Sequence, residues 1–372
     1  MSITTITNIQ IFDGHDVLET RSSLSFDTST GLIVPDADAT TTIDGTGCTL
    51  LPGLWDTHVH LSNHTPQSVV DSLTLCKNLI ACGITTAVDC GNLPADHHTI
   101  LQKTRIAPDI LFANNFATST GSVHSKFAMA TSSSIVDSVS AAATFVSERV
   151  AQGAHFIKIV ADVPGPSQAI INQLSKSAHE HGKKTIVHAS RHAAFLMALR
   201  AEPPVSIITH VPMDEPLTLD EGKIMKEKGI ISVPTLIMMR TISASGYIPG
   251  SAFPPAMQSA KALHEAGVPM LVGTDSNQSP IAGVRHGEAL WTEMELLEEV
   301  GMTSAEVLRA ATGCSAELLG IEDRGVVEVG RRADLVLVKG FPSSNVQDLK
   351  NVMRVWKAGT EVFSSEPSDA KE

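Results

Sequence analysis

The chain has 372 residues, 42% hydrophobic and 18% charged, with a formal charge of -13. That composition is globular and long enough for one large and one smaller domain. The acidic balance, without clustered Lys and Arg, argues against a nucleic-acid partner.

Residues Met1 to Phe12 carry no basic group ahead of an apolar run, unlike a secretory signal. No run reaches the ~18 apolar residues of a membrane span. Five cysteines without a C-x-x-C fit reduced, buried thiols. A cytoplasmic protein with no membrane partner is expected.

Residues 3–50 read as short strands, Thr5–Phe12, Ser23–Phe26 and Thr40–Ile43, separated by Asp, Gly and Pro. This region is too small for a core of its own. It is expected to pair with strand-like runs at the far end, Gly325–Val329, Ala333–Lys339 and Val352–Lys357, so that both ends build one small β domain. Between them, short apolar runs alternate with helical stretches, the pattern of βα units and a parallel sheet. Eight candidate strands follow: Leu54–His60, Thr85–Asp89, Ile110–Asn114, Phe156–Val160, Thr185–His188, Ser206–His210, Ile231–Thr235 and Met270–Asp275. Eight such strands over about 270 residues fit an α/β fold of the (β/α)8 TIM-barrel type. A doubly wound open sheet is the alternative, but Gly45-Thr-Gly47 lacks the third glycine of a phosphate loop and precedes a strand.

The first of these strands ends in His58-Val-His60. With 15 histidines, one His-x-His is expected by chance, and His179-Glu-His181 is a second. Secondary structure separates them, because residues i and i+2 share a face on a strand and diverge on a helix. His179 and His181 end an amphipathic helix capped by Gly182, whereas His58 and His60 lie in an apolar run after Pro52-Gly53.

Polar residues also interrupt or end other strands: Lys158, His188, His210 and Asp275. Barrel enzymes place their chemistry at the C-terminal ends of strands. Six metal-competent side chains at five strand ends, without paired cysteines, suit Zn, Mn, Fe or Co in a catalytic site. Lys158 sits inside an apolar strand, where an unpaired ammonium costs several kcal/mol. A neutral amine there can take up carbon dioxide, and the resulting carbamate is an anion able to bridge two metals.

With these residues the chain resembles the amidohydrolase superfamily over nearly its whole length, most closely its imidazolonepropionase-like and prolidase-like branch. The likeness includes Ile43–Gly53 before the His-x-His and Asp323–Leu337 near the end, which are similar to the family's flanking β-sandwich segments. It implies a small β-sandwich domain of residues 1–52 with 322–372 around a catalytic barrel of residues 53–321. It also implies a binuclear centre on His58, His60, carbamylated Lys158, His188, His210 and Asp275. Two features depart from the family pattern: Thr120-Gly-Ser-Val-His124 lacks a double glycine before its histidine, and His210 is followed by Val211-Pro212 rather than Gly.

The function expected is hydrolysis of an amide bond in a small molecule such as an N-acyl amino acid, a dipeptide or a cyclic amide. A metal-bridging hydroxide would attack, with Asp275 as proton shuttle. The alternatives are lactone or ester hydrolysis, or a decarboxylase, lyase or isomerase using the same cluster. A structural relative without activity would show gaps among the six positions, and there are none. His124 is a candidate to hold the substrate carbonyl or the oxyanion, a loop-structural role being the other reading, and Asp56 reads as core or supporting. Arg191, His192, Arg240, Tyr247 and His286 follow strand ends and are candidates for binding a substrate carboxylate. Thr241–Pro255 reads as a flap or an oligomer contact, and a homo-oligomer is expected.

Overall fold

The computed structural model describes residues 2–19, 22–62, 68–127 and 130–365. Five strands open the chain: β1 (Ile3–Phe12), β2 (Val17–Leu18), β3 (Ser23–Asp27), β4 (Leu32–Val34) and β5 (Thr41–Pro52). β6 (Leu54–Val59), β7 (Ile84–Asp89) and β8 (Asp109–Phe112) form one parallel sheet. β9 (Phe116–Ala117), β10 (Phe156–Val160), β11 (Lys184–His188), β12 (Ile207–Thr209) and β13 (Ile231–Val233) form a second. β14 (Leu335–Lys339), β15 (Val352–Lys357) and β16 (Thr360–Ser364) return to the first strands.

Both chain ends share a single eight-stranded sheet, in the order β16-β15-β14-β5-β1-β3-β4 with β2 on β1. β14 runs antiparallel to β5, pairing Val336 with Leu51 and Leu337 with Leu50. Phe26 of β3 meets Trp356 of β15 edge to face at 5.8 Å, although three strands separate them in the sheet. The sheet therefore coils around a core that includes Ile6, Ile11, Leu24, Phe26, Leu50 and Leu335. Gly325–Val329 is not a strand as expected. Gly325 and Gly330 both adopt positive φ there, and only Val327 reaches back, its N–H donating to Asp13 O.

In the two parallel sheets, every residue of β6, β7 and β10 is buried, as expected of strands covered on both faces. Met270–Asp275, expected as the eighth strand, is irregular but lies between β6 and β13. Leu271 N–H donates to Ser232 O, Ser232 N–H to Pro269 O, and Thr57 N–H to Val272 O. Gly273 makes this approach possible, since an added Cβ would lie 3.0 Å from the His58 backbone nitrogen. Trp55, Val88, Phe156, Ile186, Ile207 and Leu271, from six segments, fall in one buried cluster. Within Thr241–Pro255, expected as a flap or an oligomer contact, the chain is helical up to Ser245 and again from Phe253, and residues 246–252 between them are loop. Among the described residues no helix is long and apolar enough to cross a membrane.

Candidate metal centre

The C-terminal strand ends open into a cavity of about 780 Å³ lined by His58, His60, Lys158, His188, His210 and Asp275. The backbone turns sharply there: His210, Thr235 and Asp275 adopt φ of 69°, 50° and 56°. Left-handed backbone is uncommon for non-glycine residues, costs about 1 kcal/mol or more, and clusters at functional sites. Asp275 N–H donates to His58 O at 2.7 Å, so the residue is held against β6.

Asp275 is the hub. Its Oδ1 lies 3.0 Å from His60 Nε2 and 3.5 Å from His58 Nε2, and its Oδ2 lies 4.0 Å from His210 Nδ1. Lys158 Nζ is 3.4 Å from His58 Nε2. The His188 and His210 rings are 4.3 Å apart. All six predicted side chains converge, while His179 of the second His-x-His stays on its helix, bonded to Ser175 O.

Each ring at the hub is held from behind. His58 Nδ1 lies 2.6 Å from Thr209 Oγ1, His210 Nδ1 2.7 Å from Thr235 Oγ1, and His60 Nδ1 3.5 Å from Gly91 O. Such contacts fix ring orientation and leave the Nε2 atoms of His58 and His60 toward Asp275. Burial drives His58, His188 and His210 well below the usual imidazole range, with the nearby Lys158 adding to the effect. Burial also lowers Lys158, and among the described residues no carboxylate lies within ion-pair distance of its ammonium. His60 differs: burial pulls it down, but the Asp275 hydrogen bond and charge outweigh burial and leave its pKa raised. Neutral imidazoles, one carboxylate and a buried amine form a nitrogen and oxygen donor set that fits transition-metal ions. Among the described residues, two groups have donor atoms within 4.8 Å of one another: His58, His60 and Asp275, and His124, Asp162 and His188.

Residues 49–362 match the Amidohydrolase family, a span that includes every one of these side chains. The chain belongs to that family. It is 33% identical over 206 residues to an imidazolonepropionase of Shouchella clausii, and 35% identical over 114 residues to one of Alteromonas mediterranea. Those alignments take in 52% and 28% of this chain, and the chain spans only 40% and 25% of the two relatives. Among solved structures, a Xaa-Pro dipeptidase with bound methionine in the active site superposes with a TM-score of 0.83 at 24% identity, covering 98% of this chain and 100% of the other. An A. niger ochratoxinase gives 0.81 at 19% identity, covering 98% and 96%. Both structural likenesses concern the fold alone.

The expected substrate residues divide. His124, Arg191 and Tyr247 line the cavity. Arg191 is already engaged, donating from Nη2 to Pro249 O at 2.7 Å, so it ties down the loop that carries Tyr247. His192, Arg240 and His286 do not line the cavity, contrary to the expectation. His192 and Arg240 have entered helices, His192 being half-buried with its Nε2 3.0 Å from Glu221 Oε1 and Arg240 being exposed. His286 is buried behind β6, where its Nε2 donates to His60 O at 3.0 Å, and burial brings its pKa down to about 4.

Sequence reasoning missed Asp162, Thr209, Thr235 and Glu293. The Thr235 hydroxyl faces His210, so it does not cap the helix Leu236–Ser245 that it precedes. Glu293 takes over the cap from another helix, accepting from Leu236 N–H at 2.8 Å and Ile237 N–H at 2.7 Å. Burial pushes Glu293 up to about 8 despite these donors. Asp56, as expected of a supporting residue, is fully buried and accepts from Thr274 N–H and Oγ1 and from His58 N–H.

Proposed function

We propose that this chain is a metal-dependent hydrolase that cleaves an amide C–N bond of a small molecule, such as an N-acyl amino acid, a dipeptide or a cyclic amide. The convergence of His58, His60, Lys158, His188, His210 and Asp275 on one cavity carries this reading. In it, residues 53–321 form a closed (β/α)8 barrel flanked by a small β domain of residues 1–52 with 322–372. The bonds of residues 269–276 to β6 and β13, and the buried cluster drawn from six segments, support closure.

His58, His60 and Asp275 would hold one divalent ion, and His188 with His210 a second. Lys158, as the carbamate formed when its neutral amine adds carbon dioxide and releases a proton, would link the two. Zinc is the first candidate, with manganese, iron and cobalt as the others. Such ions, when bound, activate water and polarise a carbonyl. Asp275 would accept the proton of the attacking water and deliver it to the leaving nitrogen. His124 would meet the carbonyl oxygen as negative charge develops. Phe127, Met238, Met239 and Ile242 on the cavity wall would bury an apolar part of the substrate.

Elemental analysis of purified protein should find close to two transition-metal ions per chain, and full activity in a metal-free preparation would overturn the proposal. Lys158→Ala should lose bound metal together with activity. A metal-loaded screen of N-acyl amino acids, dipeptides, cyclic amides and lactones separates amide hydrolysis from ester hydrolysis, and the absence of any hydrolysis would point to lyase or isomerase chemistry.

A further inference from the structure

Asp162 stands two residues beyond β10 and lines the cavity beside His124. Its Oδ2 lies 2.7 Å from His124 Nδ1 and accepts the His124 backbone N–H at 3.4 Å. The His124 ring is further confined by Phe127, at 4.9 Å between centroids, and by His188 at 4.4 Å. The loop beneath it is braced, with Thr118 Oγ1 and Ser122 Oγ 2.6 Å apart and Ser125 N–H on Ser122 Oγ.

An ionised carboxylate only accepts hydrogen bonds. Burial acts to raise Asp162, yet its hydrogen bonds with His124, the shorter at 2.7 Å, outweigh burial and bring its pKa down to about 2. The nitrogen facing it must therefore carry a proton. A loop brace would need only the backbone contact, but the shorter bond goes to the ring.

We infer that Asp162 is the positioning residue for His124, fixing the ring plane and the proton on Nδ1 so that only Nε2 meets the substrate. A neutral ring then offers an acceptor at Nε2 and a charged ring a donor, and Asp162 holds the same nitrogen in both states. The inference rests on the proposed contact of His124 with the substrate carbonyl.

Two measurements test it. Long-range ¹⁵N–¹H spectra of the histidine rings, with His124 assigned by its loss in His124→Ala, should show a proton on Nδ1 in the native protein. In Asp162→Asn the amide can turn its NH₂ toward the ring, and the proton should move to Nε2 in part or whole. An unchanged His124 pattern would overturn the inference.

The second is a double-mutant cycle on the fastest amide from the substrate screen, with metal content checked in each variant. Asp162→Asn should lower kcat about tenfold to a hundredfold with a smaller change in KM. In the His124→Ala background the same change should cost less than twofold. An equal loss in both backgrounds would mean that Asp162 acts elsewhere. Full turnover in His124→Ala would overturn the reading of His124 itself, and the ring spectrum would still decide whether Asp162 sets its tautomer.

Discussion

At the N-terminal end of β8, Asp109 receives Arg332 Nη1 and Lys357 Nζ, each at 2.6 Å, together with Arg324. Asp323 and Asp334 pair with the two arginines, so three cations meet three carboxylates. At the C-terminal strand ends Asp275 stands among His58, His60 and His210, Asp162 faces His124, and the buried Lys158 amine has only the His58 ring beside it among the contacts of the described residues. The first cluster closes on itself and joins the terminal sheet to the parallel strands. The second leaves lone pairs pointing at one another, an arrangement that a bound cation relieves. Completeness of charge, more than burial, separates the structural cluster from the chemical one.

Substitutions sharpen this contrast. Asp275→Asn should lower kcat by about 10²- to 10⁴-fold, as loss of a general base does, while most of the metal remains. Unchanged rates in steady-state assays would remove the proton-shuttle role. Thr235→Val deletes the hydroxyl behind His210 and should lower metal affinity or activity roughly tenfold to a hundredfold, as loss of a supporting partner does. Metal titration with a competing chelator measures it, and an unaltered affinity and rate would make Thr235 a packing residue only.

Asp109→Asn should leave turnover per folded molecule unchanged yet destabilise the protein by about 3 kcal/mol, because it strands buried cations. Urea unfolding reads this loss. Burial tends to raise the Asp109 carboxyl, but Arg332, Arg324 and Lys357 outweigh it and hold it well below the ordinary carboxylate range. A depressed folded pKa gives stability that is present above the unfolded value of 3.8 and lost as pH falls through the folded one. The gap between native and Asp109→Asn should thus be full near neutral pH and shrink below about pH 4.

The six converging side chains were legible because each is a polar residue inside or ending an apolar run, where burial makes it conspicuous. Lys158 is the clearest case. The residues that support the cavity from behind were not legible for different reasons. Thr209 ends β12 and Thr235 precedes the helix Leu236–Ser245, and nothing local in the sequence marks a hydroxyl that faces an imidazole. Asp162 falls in Ala161-Asp-Val-Pro-Gly165, which reads as a solvated turn. Glu293 had a usable signal: it lies with Leu290, Met294 and Leu297 on the buried side of a helix otherwise rich in exposed acids. The small β domain was legible in outline, but Gly325–Val329 looked like a strand because β-branched composition cannot reveal that the glycines beside it turn the chain away. The run 270–275 was legible as an apolar segment but not as what it is, because its hydrogen bonds alternate between β6 and β13 instead of forming one ladder.

The pairing of β5 with β14 has a consequence for synthesis. Leu50 and Leu51 find their partners in a strand made nearly three hundred residues later. At about 5 to 20 residues per second, the β5 edge on a ribosome stays open for tens of seconds. An apolar open edge is a template for pairing with other chains, so nascent protein depends on chaperone cover or on swift release during that interval.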